Sequence, residues 1–157
     1  CHRHADLPRR GVQPCVDHQP YEHAAAPWPH RVVTPRLELR DVAPVSLRAT
    51  LTELCASVLP DDRLGDLHLV ATELVTNGMR HGEPPVDVRV WVGDEVVVIE
   101  VWDSGPGIDH PFADLRPHRG GVAGGHGLWL VGQLSDQVSI GREDDRTVVV
   151  ASLRSSR

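Results

Sequence analysis

The chain has no excess of basic residues, no apolar run of membrane-spanning length, too few cysteines for a disulfide framework and no P-loop. Each absence closes off a class. The formal net charge is −6, whereas a nucleic-acid surface is built on a basic patch, so direct nucleic-acid binding is not expected. With no apolar span and no signal peptide, a membrane or secreted placement is not expected either, and the expected compartment is cytoplasmic. Three cysteines, Cys1, Cys15 and Cys55, cannot form a full disulfide set. Cys55 falls on the apolar side of an expected helix and reads as a small core residue. No Gly-Lys-Ser or Gly-Lys-Thr occurs, and no parallel strand-helix-strand unit surrounds the glycines, so the dinucleotide fingerprint is not met. What remains is one domain's worth of chain, 157 residues, long enough to bury a core.

Residues 1–35 differ from the rest. They hold six of the 13 prolines and five of the 10 histidines, with few aliphatics. Such a composition cannot build a packed core, so an irregular or disordered N-terminal arm is expected. Within it, Cys1-His-Arg-His4 and Cys15-Val-Asp-His18 are two Cys-x-x-His pairs. That spacing suits a tetrahedral zinc site; a solvated tail or the remnant of an upstream domain is the plainer reading. The chain starts with Cys rather than Met, so an upstream piece is allowed for.

The compact domain is expected over 36–157. Leu37 and Leu39 alternate with charges and suggest a short strand. Pro44 to Leu59 reads as a helix with a stripe of Leu47, Leu51, Leu54, Cys55 and Val58, stopped by Pro60. A second helix carries Leu64, Leu67, Ala71, Leu74, Val75 and Gly78 at helical spacing. Asp61 or Asp62 is expected to cap its start, and Gly82 to end it in a left-handed turn. Pro84 and Pro85 then break the chain. Valines alternate from Val86 to Val92, and Gly93-Asp94 turns into a return strand from Val96 to Trp102. Trp91 on this hairpin is a candidate partner contact or packs against a neighbouring helix. Half of the 14 glycines lie between Gly105 and Gly127. Leu128, Val131 and Leu134 mark a third helix, and Val138–Ile140 with Thr147–Leu153 form a last hairpin. This order lacks a regular strand–helix alternation. It predicts an α+β fold: a mixed, mostly antiparallel sheet with helices on one face.

Three stretches bear chemistry. In Glu73-Leu-Val-Thr-Asn77 the carboxylate and carboxamide are four residues apart, one above the other on a helix face at the edge of the core. A nucleotide with its metal would supply the partners they need; the plainer reading is two surface residues. In Asp103-Ser-Gly105-Pro-Gly107 a carboxylate sits where a strand ends in a glycine turn. An ionised Asp is acceptor-only, so it suits the exocyclic amine of adenine; otherwise the motif serves turn geometry alone. In Gly124-Gly125-His126-Gly127-Leu128 glycines run into a helix start, a ready anion site, unless the segment is only a flexible surface loop.

In this order and spacing the three stretches resemble the GHKL superfamily of gyrase and histidine-kinase type, nearest its anti-sigma-factor serine/threonine kinase branch. Glu73-Leu-Val-Thr-Asn77-x-x-x-His81-Gly82 resembles that branch's N box. Asp103-x-Gly105-x-Gly107 resembles its first glycine box, and Gly125-His126-Gly127-Leu128-Trp-Leu-Val its second. The likeness covers about residues 36 to 154 and is similar to that of actinobacterial stand-alone ATP-binding regulators. It implies a two-layer α/β sandwich of GHKL type, with ATP and Mg2+ as cofactors. Asn77 would ligand Mg2+, a hard cation that takes oxygen donors. Glu73 would be the general base. Asp103 would bond the adenine amine, Gly105 and Gly107 would let the base seat, and Gly125, His126, Gly127 and Leu128 would meet the phosphates. His110 to Ala123 would be a lid. Arg80 and His81 lie one helical turn on and approach the nucleotide, or His81 caps its own helix end. Thr147 would help hold the adenine.

Three departures are visible. Gly78 stands where the branch usually has Ala, which loosens the helix by about 1 kcal/mol. His126 replaces a usual Arg, so a fixed charge becomes one that titrates near neutrality. Asp145-Arg146-Thr147 lacks the common Gly before the Thr. The resemblance implies a kinase that phosphorylates a STAS-type anti-anti-sigma partner and holds a sigma factor inactive. The alternatives are a non-catalytic ATP-dependent switch and the catalytic domain of a truncated histidine kinase. Homodimerisation is left open.

Overall fold

The structure is a computed structural model that describes residues 33–107 and 127–156. The Cys-x-x-His pairs, the segment read as a lid, Gly125 and His126 lie outside the described residues. Among the described residues, five strands and three helices follow in the order β1 (Leu37–Leu39), α1 (Pro44–Cys55), α2 (Asp61–His81), β2 (Asp87–Val92), β3 (Val96–Asp103), α3 (Gly127–Leu134), β4 (Gln137–Glu143) and β5 (Arg146–Arg154). The sheet order is β1-β2-β3-β5-β4. Every pairing is antiparallel, so the parallel component allowed for in the sequence reading does not occur among the described strands.

The helices stop for local reasons. α1 begins at Pro44, where the missing N–H costs nothing, and buries Leu47, Leu51 and Cys55. It ends at Cys55, four residues before the expected Leu59. The N–H groups of Val58 and Leu59 both turn back to the Cys55 carbonyl, at 3.0 and 2.9 Å. Pro60 disfavours helical geometry in the residue before it, so the chain closes in a turn. α2 follows directly. Neither Asp61 nor Asp62 caps it; Pro60 is the N-cap, and both aspartates sit in the first turn, where they face the positive end of the helix dipole. Its expected stripe is buried throughout, joined by Arg63 and Val70. At the far end Gly82 has φ −90° and ψ −158°. That is extended backbone, not the left-handed turn expected.

One face of the sheet, with Val88, Val90, Ile99, Val101, Val149 and Ala151, packs against Leu47, Leu51, Leu67, Leu74 and Val131 of the helices. Each buried Val, Leu or Ile among them stabilises the fold by about 1.5–3 kcal/mol. Trp102, Val148 and Val150 form a smaller cluster. By strand alternation it lies on the other face. There the guanidinium groups of Arg89 and Arg146 lie 5.2 and 5.8 Å from the Trp102 ring centre. Trp91 is buried and donates its indole N–H to the Val33 carbonyl at 2.9 Å. It is therefore not an exposed contact residue, and it pairs with Val98 rather than packing under a helix.

Arg63 ties three elements together at one end of the molecule. It is 2 % exposed. Its guanidinium donates to the Arg154 and Leu134 carbonyls at 2.9 and 3.0 Å, and to Asp66 and Asp136 at 2.7 and 2.6 Å. The start of α2, the end of α3 and the end of β5 thus share one buried cation, whose charge is satisfied in the way a buried ion requires.

Candidate functional site

α2 lays out the site. Glu73, half-buried, stands in its middle, and Gly82 stands just past its end, nine residues on. At 1.5 Å per residue these points are about 14 Å apart along the axis. Glu73 addresses the start of α3: a methyl group on Gly127 would lie 2.8 Å from Glu73 Oε2. The carboxylate reaches this helix start because glycine is there. The first N–H groups of α3 have no partner within the helix, and the dipole makes that end positive. Leu128 anchors the same end with its side chain in the core. Asn77 stands one turn beyond Glu73 and is half-buried. Neither side chain has a hydrogen-bond partner among the described residues. Arg80 and His81 finish the helix, both exposed.

The other end is built by close backbone contact. A methyl on Gly82 would collide with Asp103 Cγ and Oδ1 and would lie 2.6 Å from the Gly78 carbonyl oxygen. One on Gly105 would lie 2.7 Å from Gly82 Cα. The Ser104 N–H donates to the Glu83 carbonyl at 2.7 Å. The end of α2 and the loop after β3 therefore touch backbone to backbone, which only glycine permits. Gly107 has φ +105°, in the left-handed region that favours glycine. The Gly78 position is tight but open: a methyl there would meet Val86 at 3.3 Å.

Asp103 is 8 % exposed, and its Oδ1 accepts the Gly105 N–H at 2.8 Å. Burial pushes its carboxyl above the usual carboxylate range. Backbone N–H donation and the positive charges of Arg146 and Arg142 pull the other way without overcoming burial. Across the strands Asp103 pairs with Thr147. Thr147 is 2 % exposed, and its hydroxyl Oγ1 is buried with no hydrogen-bond partner among the described residues. A buried hydroxyl without a partner is costly. Its presence across the strands from a buried carboxylate, which takes backbone hydrogen bonds from Gly105 and Glu83, makes a polar recess that suits a polar, planar ligand. The residues present fit an adenine base at this end, and an anionic group at the α3 end.

Two contributors went unseen in the sequence. Arg142 on β4 pairs with Thr147 and donates to the Gly105 carbonyl at 3.0 Å. Arg146 holds Asp87 at 2.8 Å and the Pro85 carbonyl at 2.9 Å, fastening β5 to the start of β2. One signal was available for Arg142: it keeps the alternation of Val138 and Ile140, which puts a charge on the buried face at the strand's end.

The family profile of the histidine kinase-like ATPase domain matches residues 36–153. The chain belongs to that family. No curated protein matches it. Among solved structures, it is similar to the catalytic domain of histidine kinase ThkA in a nucleotide-free form. The identity is 14 %, the TM-score 0.52, and the match covers 76 % of this chain and 95 % of that one. A second nucleotide-free form of ThkA gives 12 % identity and a TM-score of 0.51, over 76 % and 96 % of the two chains. A histidine kinase domain from Erythrobacter litoralis, of a blue-light activated kinase, is 19 % identical at a TM-score of 0.48, over 72 % and 59 %. For the two ThkA forms the likeness is one of fold. For a histidine kinase-like ATPase domain the arrangement is coherent: Asp103, Gly105, Gly107 and Thr147 gather at the C-terminal end of α2, Glu73 stands in its middle against Gly127 at the start of α3, and Asn77 lies one turn beyond Glu73. No described helix is long and apolar enough to cross a membrane.

Proposed function

We propose that this histidine kinase-like ATPase domain binds ATP with Mg2+ and works as a small regulatory protein serine/threonine kinase of the anti-sigma-factor type. The observation that carries the nucleotide reading is the buried hydroxyl of Thr147, unpartnered among the described residues and set directly across from Asp103. Asp103 Oδ2 accepts from the adenine 6-amino group, and Thr147 gains the hydrogen bond it lacks. The first N–H groups of α3, beside Glu73, would receive the phosphates. Asn77 would hold Mg2+ through its side-chain oxygen, and the ion would neutralise phosphate charge. The sequence contains no lysine, since all 16 of its Lys and Arg residues are arginine. Charge neutralisation therefore falls to the metal, the helix start and arginine.

For transfer, Glu73 takes the proton of an attacking serine hydroxyl. The serine oxygen forms a bond to the γ-phosphorus, and the bond to the bridging oxygen breaks, releasing ADP. The acceptor in this reading is a serine on a STAS-type anti-anti-sigma protein, with a sigma factor as the protein held inactive, in the cytoplasm. The residue pattern Glu73-Leu-Val-Thr-Asn77-x-x-x-His81-Gly82 supports that choice.

A second reading, the catalytic domain of a histidine kinase, is favoured by the fold likeness to ThkA and stands equally. The two differ in product. A phosphohistidine is lost in acid, whereas a phosphoserine survives it. Labelled ATP with each class of acceptor, followed by acid treatment, separates them, and binding without transfer to either indicates a non-catalytic switch. Glu73→Ala is expected to keep ATP affinity and lose transfer. Asn77→Ala is expected to lose Mg2+-dependent affinity as well. Transfer at the parent rate by Glu73→Ala would remove the base assignment.

A further inference from the structure

The helices cover one face of the sheet, yet the other face is buried too. Strand alternation puts Trp91, Glu100, Trp102, Val148 and Val150 on the side away from the helices. Their neighbours along the strands, Val90, Ile99, Val101, Val149 and Ala151, belong to the helix-side core. No described helix contributes a residue to the Trp102, Val148 and Val150 cluster. Even so, Glu100 and Val148 are 0 % exposed, and the two tryptophans and Val150 are buried. We propose that this outer face is a docking surface for the chain's own N-terminal arm, residues 1–32, which lies across Trp102, Val148 and Val150 as a second cover on the sheet.

The way the chain enters the sheet selects that occupant. The Trp91 indole N–H donates to the Val33 carbonyl at 2.9 Å, and the Arg36 N–H to the Val90 carbonyl at 2.8 Å. Val33 therefore already stands by the outer face before the chain reaches β1, and the arm starts from there. Its reach is ample. Five strands at about 4.8 Å spacing are about 20 Å across, and the 32 residues of the arm, if extended, span up to about 100 Å. The stretch between Gly107 and Gly127 fits less well, because both its ends lie on the helix side: Gly107 by Thr147 and Gly127 by Glu73.

The chemistry of arm and face also agrees. The face offers two indoles, with the Arg89 and Arg146 guanidiniums near the Trp102 ring. Residues 1–32 hold five prolines together with Tyr21 and Trp28. A proline-rich segment has little freedom to lose on binding and seats on aromatic-lined surfaces. Such a segment cannot build a core of its own, but it needs none against a sheet. The buried Glu100 carboxylate accepts the Trp102 indole N–H at 2.9 Å and pairs across the strands with Arg89. Trp91, Glu100 and Trp102 each have an interaction besides these. The covered surface backs the candidate base-binding end, since Trp102 precedes Asp103 and Val148 follows Thr147. The proposal itself does not depend on the nucleotide reading.

The test uses the full chain in solution, with a nitroxide on the arm and isotope-labelled indole nitrogens read by nuclear magnetic resonance. Cys55 is 0 % exposed, and burial pushes its thiol up to about 11, so it stays unreactive. With Cys1→Ser, the label goes to Cys15 alone. A second protein, with Cys1→Ser and Cys15→Ser, carries it at Ala25→Cys. Every substitution lies in the arm, so the described domain is untouched. At least one label is expected to remove most of the Trp102 indole N–H intensity, and reducing the nitroxide is expected to restore it. Trp129, on α3 at the helix side of the sheet, is expected to keep most of its own. Trp102 intensity that survives both labels overturns the proposal, as does equal loss at Trp102 and Trp129. A mixture of nitroxide chains without the isotope and isotope chains without nitroxide is expected to show no loss. Loss in that mixture means that a second copy supplies the cover, and it overturns docking within one chain.

Discussion

Replacing Thr147 by Val should stabilise the protein while weakening its hold on ATP. Valine has nearly the shape of threonine and keeps the branched side chain that strands favour. The buried hydroxyl, on a residue 2 % exposed and without a partner among the described residues, disappears. Leaving such a group unsatisfied costs about 1–3 kcal/mol, so the nucleotide-free variant gains about that amount. In a chain of 157 residues each kcal/mol moves the melting temperature by about 2–4 °C. The midpoint without nucleotide should therefore rise by several degrees. With ATP present the parent regains the bond and the variant cannot, so ATP affinity should fall by about 0.5–1.5 kcal/mol, roughly twofold to tenfold. Melting curves with and without ATP and Mg2+, together with calorimetric titration, read both effects. Opposite signs are the signature. A variant less stable without ligand, or one with undiminished ATP affinity, would show that Thr147 faces no ligand.

Three further outcomes follow from the packing and the charges. Gly82→Ala forces its methyl into Asp103 and the Gly78 carbonyl; overpacking of this kind costs about 1–3 kcal/mol, and nucleotide affinity should drop with stability in urea melts. Arg63→Met removes the buried guanidinium that joins Asp66, Asp136 and the Leu134 and Arg154 carbonyls and should cost about 3 kcal/mol or more. The exposed Arg89–Glu38 pair, at 3.9 Å and about half in solvent, should be worth under about 1 kcal/mol, and similar urea midpoints for the two deletions would contradict this ranking. For Asp103, the raised carboxyl means the native state holds the proton more tightly than the unfolded chain. Its contribution is full below the ordinary carboxylate range and is lost as pH rises through the raised value. Nucleotide affinity runs the other way and should fall on mild acidification. Asp103→Asn should flatten the stability slope over that window, and a parent-like slope would refute the assignment.

The parts legible in the sequence were those carried by short-range pattern. The helical spacing from Leu64 to Gly78 put Glu73 and Asn77 on one face, and the alternation from Val86 to Val92 announced the central hairpin. Periodicity speaks of one element at a time, so it did not reveal that β3 pairs with β5 rather than with β4. Gly82 shows the limit well. Its glycine was read as a backbone-angle requirement, but the angle is ordinary and the requirement is the nearness of Asp103, 21 residues later. Arg63 and Arg142 were missed for the same reason. Their partners lie 71 to 91 and 37 residues away, and no local rule signals an arginine that will meet a distant carbonyl.

α3 spans eight residues, about 12 Å, and is fastened differently at its two ends. Its last carbonyl is gripped by Arg63, while its first turn is held by Leu128 in the core and lies against Glu73. Arg63 also grips the Arg154 carbonyl, and Arg154 is the last residue of the strand whose second is Thr147. The two halves of a bound nucleotide would thus sense each other through one stiff strand, with no contact between them.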